Sequence, residues 1–135
     1  MDGVTLTALK QINHPKGNVY HAMKSSDYGY DGFGEAYFST INKEDIKGWK
    51  KHTKMTLNII VPVGEIEFIF YDEDEGAFES IKLSHKNFQR LTLKPNIWMA
   101  FRGIDSYNML LNLASIEHDP EESINKNIED IKYAW

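Results

Sequence analysis

The chain of 135 residues contains no cysteine. Disulfides, zinc–thiolate centres and thiol nucleophiles are therefore excluded. No apolar run reaches the length of a membrane span. The first residues, MDGVTLTALK, lack the apolar core of a signal peptide. The expectation is a cytoplasmic protein with no membrane association. Positive charge is in deficit, with 15 Lys and Arg against 20 Asp and Glu and a net charge of −5. That balance argues against nucleic acid as a partner, because such binding needs a basic surface. His14, His21 and His85 have no acid or histidine at metal-ligand spacing, so no metal site is expected. Proline is scarce, and there is no linker, repeat or low-complexity tract.

What remains suits one domain over residues 1–135. Hydrophobic residues make up 41% and aromatics 13%, enough to bury a core at this length. Short strand-like runs alternate with turn signals: Val19 to Met23, Phe33 to Ile41, Met55 to Val63, Glu65 to Tyr71, Phe78 to Leu83, Phe88 to Leu93, Ile97 to Phe101 and Met109 to Leu113. Gly32, Gly34, Gly64, Gly76, Pro95 and Gly103 fall between or beside them. Such spacing predicts an all-β sandwich or barrel. Glu65 to Tyr71 alternates strictly, which places Ile66, Phe68 and Phe70 on one face. Pro120-Glu121-Glu122 reads as the first turn of a short C-terminal helix with Asp119 as its cap. The terminal Tyr133 and Trp135 predict a tail that docks on the body or on a partner.

One segment stands out from this acidic background. Residues 47–54, Lys-Gly-Trp-Lys-Lys-His-Thr-Lys, hold four lysines and a histidine and run directly into the apolar Leu57 to Val63. Lysines prefer solvent, so a cationic stretch leading into a core strand is unusual. A solvated edge strand that discourages aggregation is the plain explanation. If some of the lysines point into a concavity, they form an anion site centred on His52. Phosphate is the anion that fits, and a nucleotide-sugar diphosphate would satisfy it. His52 is the candidate general base for a proton next to a carbonyl, with a lysine stabilising the enolate. Tyr28, Tyr30 and Asp31 sit in a glycine-rich loop and could stack on a base or sugar. Asp72-Glu73-Asp74-Glu75 lacks calcium-loop spacing and reads as a solvated turn.

The stretches FGEAYFSTINKEDIKGWKKHTKMTLNIIVPVGEIEFIFYD and LTLKPNIWMAFRGIDSYNMLLNLASIEHDPEE resemble the dTDP-4-dehydrorhamnose 3,5-epimerase-related branch of the cupin proteins. The resemblance spans roughly residues 15 to 135. It implies a double-stranded β-helix, or jelly roll, usually dimeric, with a ligand cleft inside the barrel. It also implies metal-free and cofactor-free proton transfer next to the keto group of a nucleotide-linked 4-keto-6-deoxy sugar. The pathway implied is deoxysugar biosynthesis for surface polysaccharide. The epimerase motif Arg-Gly-x-His is matched by Lys47, Gly48, Trp49 and Lys50, so a lysine stands in place of the base. His52 matches the second histidine of the related ketoisomerase pattern Arg-Gly-x-His-x-His. Asn112 stands where the epimerases have a tyrosine acid, and Met99 where they have a further histidine. The C-terminal region that supplies an aspartate partner to the histidine is largely missing.

The catalytic candidates are thus His52 and Lys50, with Lys50 as an alternative base. Lys47, Lys54, Trp49, Asn58, Tyr37, Trp98 and Asn112 are the candidates for substrate binding. Three readings remain open. The first is an epimerase or isomerase with altered catalytic residues; the second is a cupin that binds a nucleotide sugar or carbohydrate without turnover; the third is a structural or scaffolding dimer in a sugar-pathway assembly.

Overall fold

The computed structural model describes residues 1–135. Twelve strands form: β1 Val4–Ala8, β2 Gln11–Ile12, β3 Val19–Tyr20, β4 Glu35–Asn42, β5 Ile46–His52, β6 Leu57–Val63, β7 Glu65–Asp72, β8 Ala77–Ser84, β9 Gln89–Leu93, β10 Trp98–Gly103, β11 Tyr107–Ala114 and β12 Ser123–Asn125. Two antiparallel five-stranded sheets face each other, ordered β1-β9-β6-β11-β4 and β12-β5-β10-β7-β8. A small β2–β3 hairpin stands apart. This is the expected cupin-type jelly roll.

Period-two alternation sends one side of each strand into the space between the sheets. Ile66, Phe68 and Phe70 of β7 are fully buried there, as their spacing predicts, against Leu57, Leu83 and Leu91. β6 joins β7 through Gly64, whose φ is +77° and where a Cβ would stand 2.3 Å from the Tyr107 carbonyl oxygen, so there is no room for a side chain. The run Leu57 to Val61 is buried on both faces because the second face is also covered. The loop before β4 lies over it: buried Arg90 donates to the Ala22 and Tyr28 carbonyls, and Asn58 to that of Gly29.

The outer face of the second sheet is covered by the chain's end. Trp49, Ile69, Trp98, Ala100 and Ile131 form a second cluster, with Tyr133 and Trp135 packed on it. The terminal aromatics therefore dock on the body, one of the two outcomes expected for them. The helix expected from Pro120 does not form. Asp119 caps only a turn, to the Glu121 amide, and β12 then pairs with β5. A helix this short is marginal alone, whereas β12 satisfies backbone groups along an otherwise open edge. A 3₁₀ turn at Ile128–Asp130 is the only helical element. The acidic segment after β7 is a solvated turn, with Asp72 accepting from the Asp74 and Glu75 amides.

Candidate active site

A cavity of about 270 Å³ opens between the sheets at the end carrying β5. Its floor is apolar, from Leu57, Ile59, Leu93, Met99, Phe101 and Leu110, and its rim is polar, from Tyr37, Ser39, Lys47, Lys50, His52, Asn112 and Asn125. An apolar bed with a few convergent polar groups is the usual build of a small-molecule site.

Strand β5 carries the cationic side. Lys50 and His52, two residues apart, face the cavity, while Trp49 and Lys51 between and beside them face away. Gly48 allows β5 to lie close on β10, since a Cβ there would meet that of Ala100 at 2.4 Å. Lys47 donates from Nζ to the Thr40 carbonyl at 2.6 Å. Lys50 forms no side-chain hydrogen bond or ion pair, so its amine is uncommitted.

His52 has a partner the sequence did not point to. Its Nδ1 meets Oε1 of Glu122, on the turn just before β12. The Glu122 side chain is only 2% exposed. Its other oxygen accepts from the backbone amides of Thr53, Lys54 and Met55 at 3.0–3.1 Å. Burial acts to raise the Glu122 pKa. The His52 hydrogen bond and the amides of Lys54 and Met55 outweigh it and hold the carboxyl below its ordinary 4.5. A carboxylate on Nδ1 fixes the ring and leaves Nε2 as the nitrogen free for proton transfer.

A second polar pair spans β4 and β11, where Tyr37 and Asn112 are opposite each other. The Asn112 amide donates to the Tyr37 hydroxyl at 2.9 Å and accepts from the Asn58 backbone N–H at 3.1 Å. Because the Tyr37 oxygen already accepts, its own hydrogen is left to donate into the cavity. Asn112 is thus largely committed to orienting Tyr37.

A family model described as FdtA, WxcM-like, C-terminal, matches residues 2–134. The chain belongs to this family. No curated protein matches it significantly. Among solved structures, a dTDP sugar isomerase from Desulfovibrio desulfuricans G20 is 30% identical, with 99% of this chain and 91% of that one covered and a TM-score of 0.93. The 3,4-ketoisomerase QdtA from Thermoanaerobacterium thermosaccharolyticum, solved with TDP, is 22% identical, with 97% and 93% covered and a TM-score of 0.82. The 3,5-epimerase RmlC from Legionella pneumophila Philadelphia 1, solved with dTDP-4-keto-L-rhamnose, is 16% identical, with 100% and 79% covered and a TM-score of 0.87. The latter two likenesses speak for the shared fold. The resemblance read from the sequence, to sugar-nucleotide epimerases and ketoisomerases, is borne out at the level of the family.

Within this FdtA-type domain, the structure gathers five of the nine expected site residues around the cavity: Lys47, Lys50, His52, Tyr37 and Asn112. The other four are placed differently. Trp49 touches the cavity margin, but its ring is buried in the outer cluster and donates from Nε1 to the Ile128 carbonyl at 3.1 Å. Trp98 is buried in that same cluster, beneath the Lys51 and Lys126 ammonium groups. Asn58 points to the opposite side of β6, where it binds the Gly29 carbonyl and accepts from Thr92 at 2.6 Å. Lys54 lies beyond the end of β5 and contributes its backbone amide to Glu122. The placing of Trp49, Trp98 and Asn58 follows from strand sidedness, which reverses at every residue; Lys54 is on no strand.

Tyr28, Tyr30 and Asp31 also lie away from the cavity, in the loop that covers β6 and β9; Asp31 accepts from Thr56 at 3.0 Å. Glu122 is the residue that sequence reasoning missed. Its signal was present but faint: a buried carboxylate is rare, and an acidic pair in a short turn reads as a solvated helix start.

Proposed function

We propose that the protein is a sugar-nucleotide epimerase or ketoisomerase acting on a nucleotide-linked 4-keto-6-deoxy sugar. The observation that carries this reading is His52, held from behind by Glu122, facing an apolar-floored cavity that also holds Tyr37 and two lysines. At about 270 Å³, the cavity lies just below the roughly 300–1,000 Å³ of drug-sized ligand sites. It suits one sugar ring, with the nucleotide lying at the mouth.

In this mechanism His52 Nε2 removes a proton from the carbon next to the keto group. Glu122 holds the ring and offsets the positive charge that develops on it. Lys50 stabilises the charge that moves onto the keto oxygen. Tyr37, oriented by Asn112, donates its hydroxyl proton to the deprotonated carbon from the first sheet, across the cavity from His52 on the second. Lys47 sits nearer β4 and binds the diphosphate, as a point charge rather than an arginine fork.

The finer parts of the proposal concern partners and place. A homodimer is supported by the outer face of the first sheet, where Phe38, Val63 and Tyr107 are all more than 40% exposed. Work in the cytoplasm on sugars destined for surface polysaccharide, including lipopolysaccharide, agrees with the nucleotide-sugar reading.

The test is NMR of dTDP-4-keto-6-deoxyglucose with the protein in deuterium oxide. Deuterium should enter at C3 or C5 of the sugar and cease to enter with His52→Ala. Ligand line-broadening without exchange would replace this reading with that of a non-catalytic binding module. Neither signal would remove this sugar nucleotide as the ligand.

A further inference from the structure

Lys50 stands where the epimerase motif has its base, yet the structure already equips His52 for that task. The cavity therefore contains a primary amine that is not needed as the base. Of the four lysines in residues 47–54, Lys47 is tied to the Thr40 carbonyl, Lys51 turns outward to Glu73, and Lys54 lies outside the cavity. Lys50 lines the cavity, flanked across the sheet by Met99 on β10 and Asn125 on β12. No aspartate or glutamate lines the cavity, so nothing there neutralises or sequesters the amine. His52 is the next residue facing the cavity along the same strand, about 7 Å away at the backbone. A carbonyl carbon bound to Lys50 would leave its α-hydrogen near the imidazole.

We propose that Lys50 is a covalent catalyst: its amine condenses with the keto group of the bound sugar, and the resulting iminium serves as the electron sink for proton removal by His52. This rests on the keto-sugar reading above and replaces only the electrostatic part given there to Lys50. The neutral Nζ adds to the carbonyl carbon to give a carbinolamine. With one proton taken up, that oxygen leaves as water and a protonated imine remains. His52 Nε2 then takes the α-proton, and the C–H electron pair flows into the iminium to give a neutral enamine. Reprotonation of the enamine carbon restores the iminium. Water adds back, the amine leaves, and the keto group and the one proton are returned. No oxidant, reductant or metal is consumed. The apolar floor of Leu57, Leu93, Met99 and Phe101 limits competing hydrolysis beside the reacting carbon.

The experiment is borohydride trapping of the whole protein with dTDP-4-keto-6-deoxyglucose, read by intact mass and peptide mapping. Deuterium exchange into the sugar is measured in parallel. The expected result is one reduced sugar adduct per chain, on Lys50, absent from Lys50→Arg. Exchange in Lys50→Arg, which keeps the charge but cannot turn over an imine readily, should fall by about a hundredfold or more. Exchange by the parent with no adduct, and retained by Lys50→Arg, would overturn the covalent role and leave the keto-sugar reading standing. An adduct confined to Lys47 would overturn the assignment to Lys50. Absence of ligand line-broadening, exchange and adduct together would overturn both proposals.

Discussion

The two faces of strand β5 are built from neighbouring residues and serve opposite ends. Lys50 and His52 face the cavity, where polar groups meet an apolar floor. Trp49 and Lys51 face the C-terminal tail. There Trp49 is 1% exposed against Ile131 and Trp135, and Lys51 pairs with Glu73 at 2.6 Å over the Trp98 ring. On the inner face Lys50 has no side-chain partner and His52 keeps Nε2 free, so both are open to a ligand. The outer face is packed and locked by paired backbone bonds between Trp49 and Lys126. A reactive strand needs such backing, because catalytic side chains must be held still by groups that take no part in the chemistry.

The contrast can be broken first from the inside. His52→Ala should reduce deuterium exchange by about 10²–10⁴-fold, the usual worth of a general base, and should also lower the melting temperature, because the buried Glu122 carboxylate loses its partner. If exchange survives, the inner face does not carry the chemistry. From the outside, Trp49→Ala should cost about 3–5 kcal/mol of stability, measured by urea unfolding. Protein that remains folded should still bind the sugar nucleotide. Loss of binding without loss of stability would mean that Trp49 belongs to the site after all.

Glu122 links the two faces and sharpens the comparison. Its folded carboxyl lies below the ordinary 4.5, so the stability it lends is fully present above that pH. It is lost as pH falls through the depressed folded value. Glu122→Gln should flatten this acid limb of the stability profile and reduce exchange by about 10–100-fold, as a partner that orients a histidine does. A parallel acid limb in parent and variant would deny the carboxylate this role. The smallest effects are expected where the structure moved residues out of the site. Lys54→Ala should leave nucleotide-sugar affinity within about twofold, since exposed substitutions are usually worth within ±0.5 kcal/mol, whereas Lys47→Ala should weaken it measurably in titration calorimetry.

The pattern of success along the sequence has a physical explanation. Ile66, Phe68 and Phe70 were legible because alternation over one strand is a local signal. The strand containing Lys47 to His52 was singled out by its charge, but residues 46–52 were read as a strand only in the plain explanation of a solvated edge, because lysine and glycine disfavour one; β5 instead lies between β12 and β10. Strands β2 and β12 were missed, being only two and three residues long, and so was β1, although its sequence Val-Thr-Leu-Thr-Ala suits a strand. Asn58 and Trp98 were assigned to the site because both look like polar or aromatic groups aimed into a barrel. Sidedness alone cannot tell an inner face from an outer one when both are covered. The loop before β4 buries Asn58, and the tail buries Trp98.

By itself the sequence determined the class of fold, the inward face of β7 and the cationic stretch that holds Lys47, Lys50 and His52. These depend on composition and period, which act over a few residues. Tertiary structure alone decided that Glu122 meets His52 across 70 residues of chain, that Tyr37 meets Asn112 across 75, and which of four lysines is left free in the cavity. Those choices depend on which strands become neighbours and what covers each sheet, and the pairing of distant strands is settled only when the whole barrel closes.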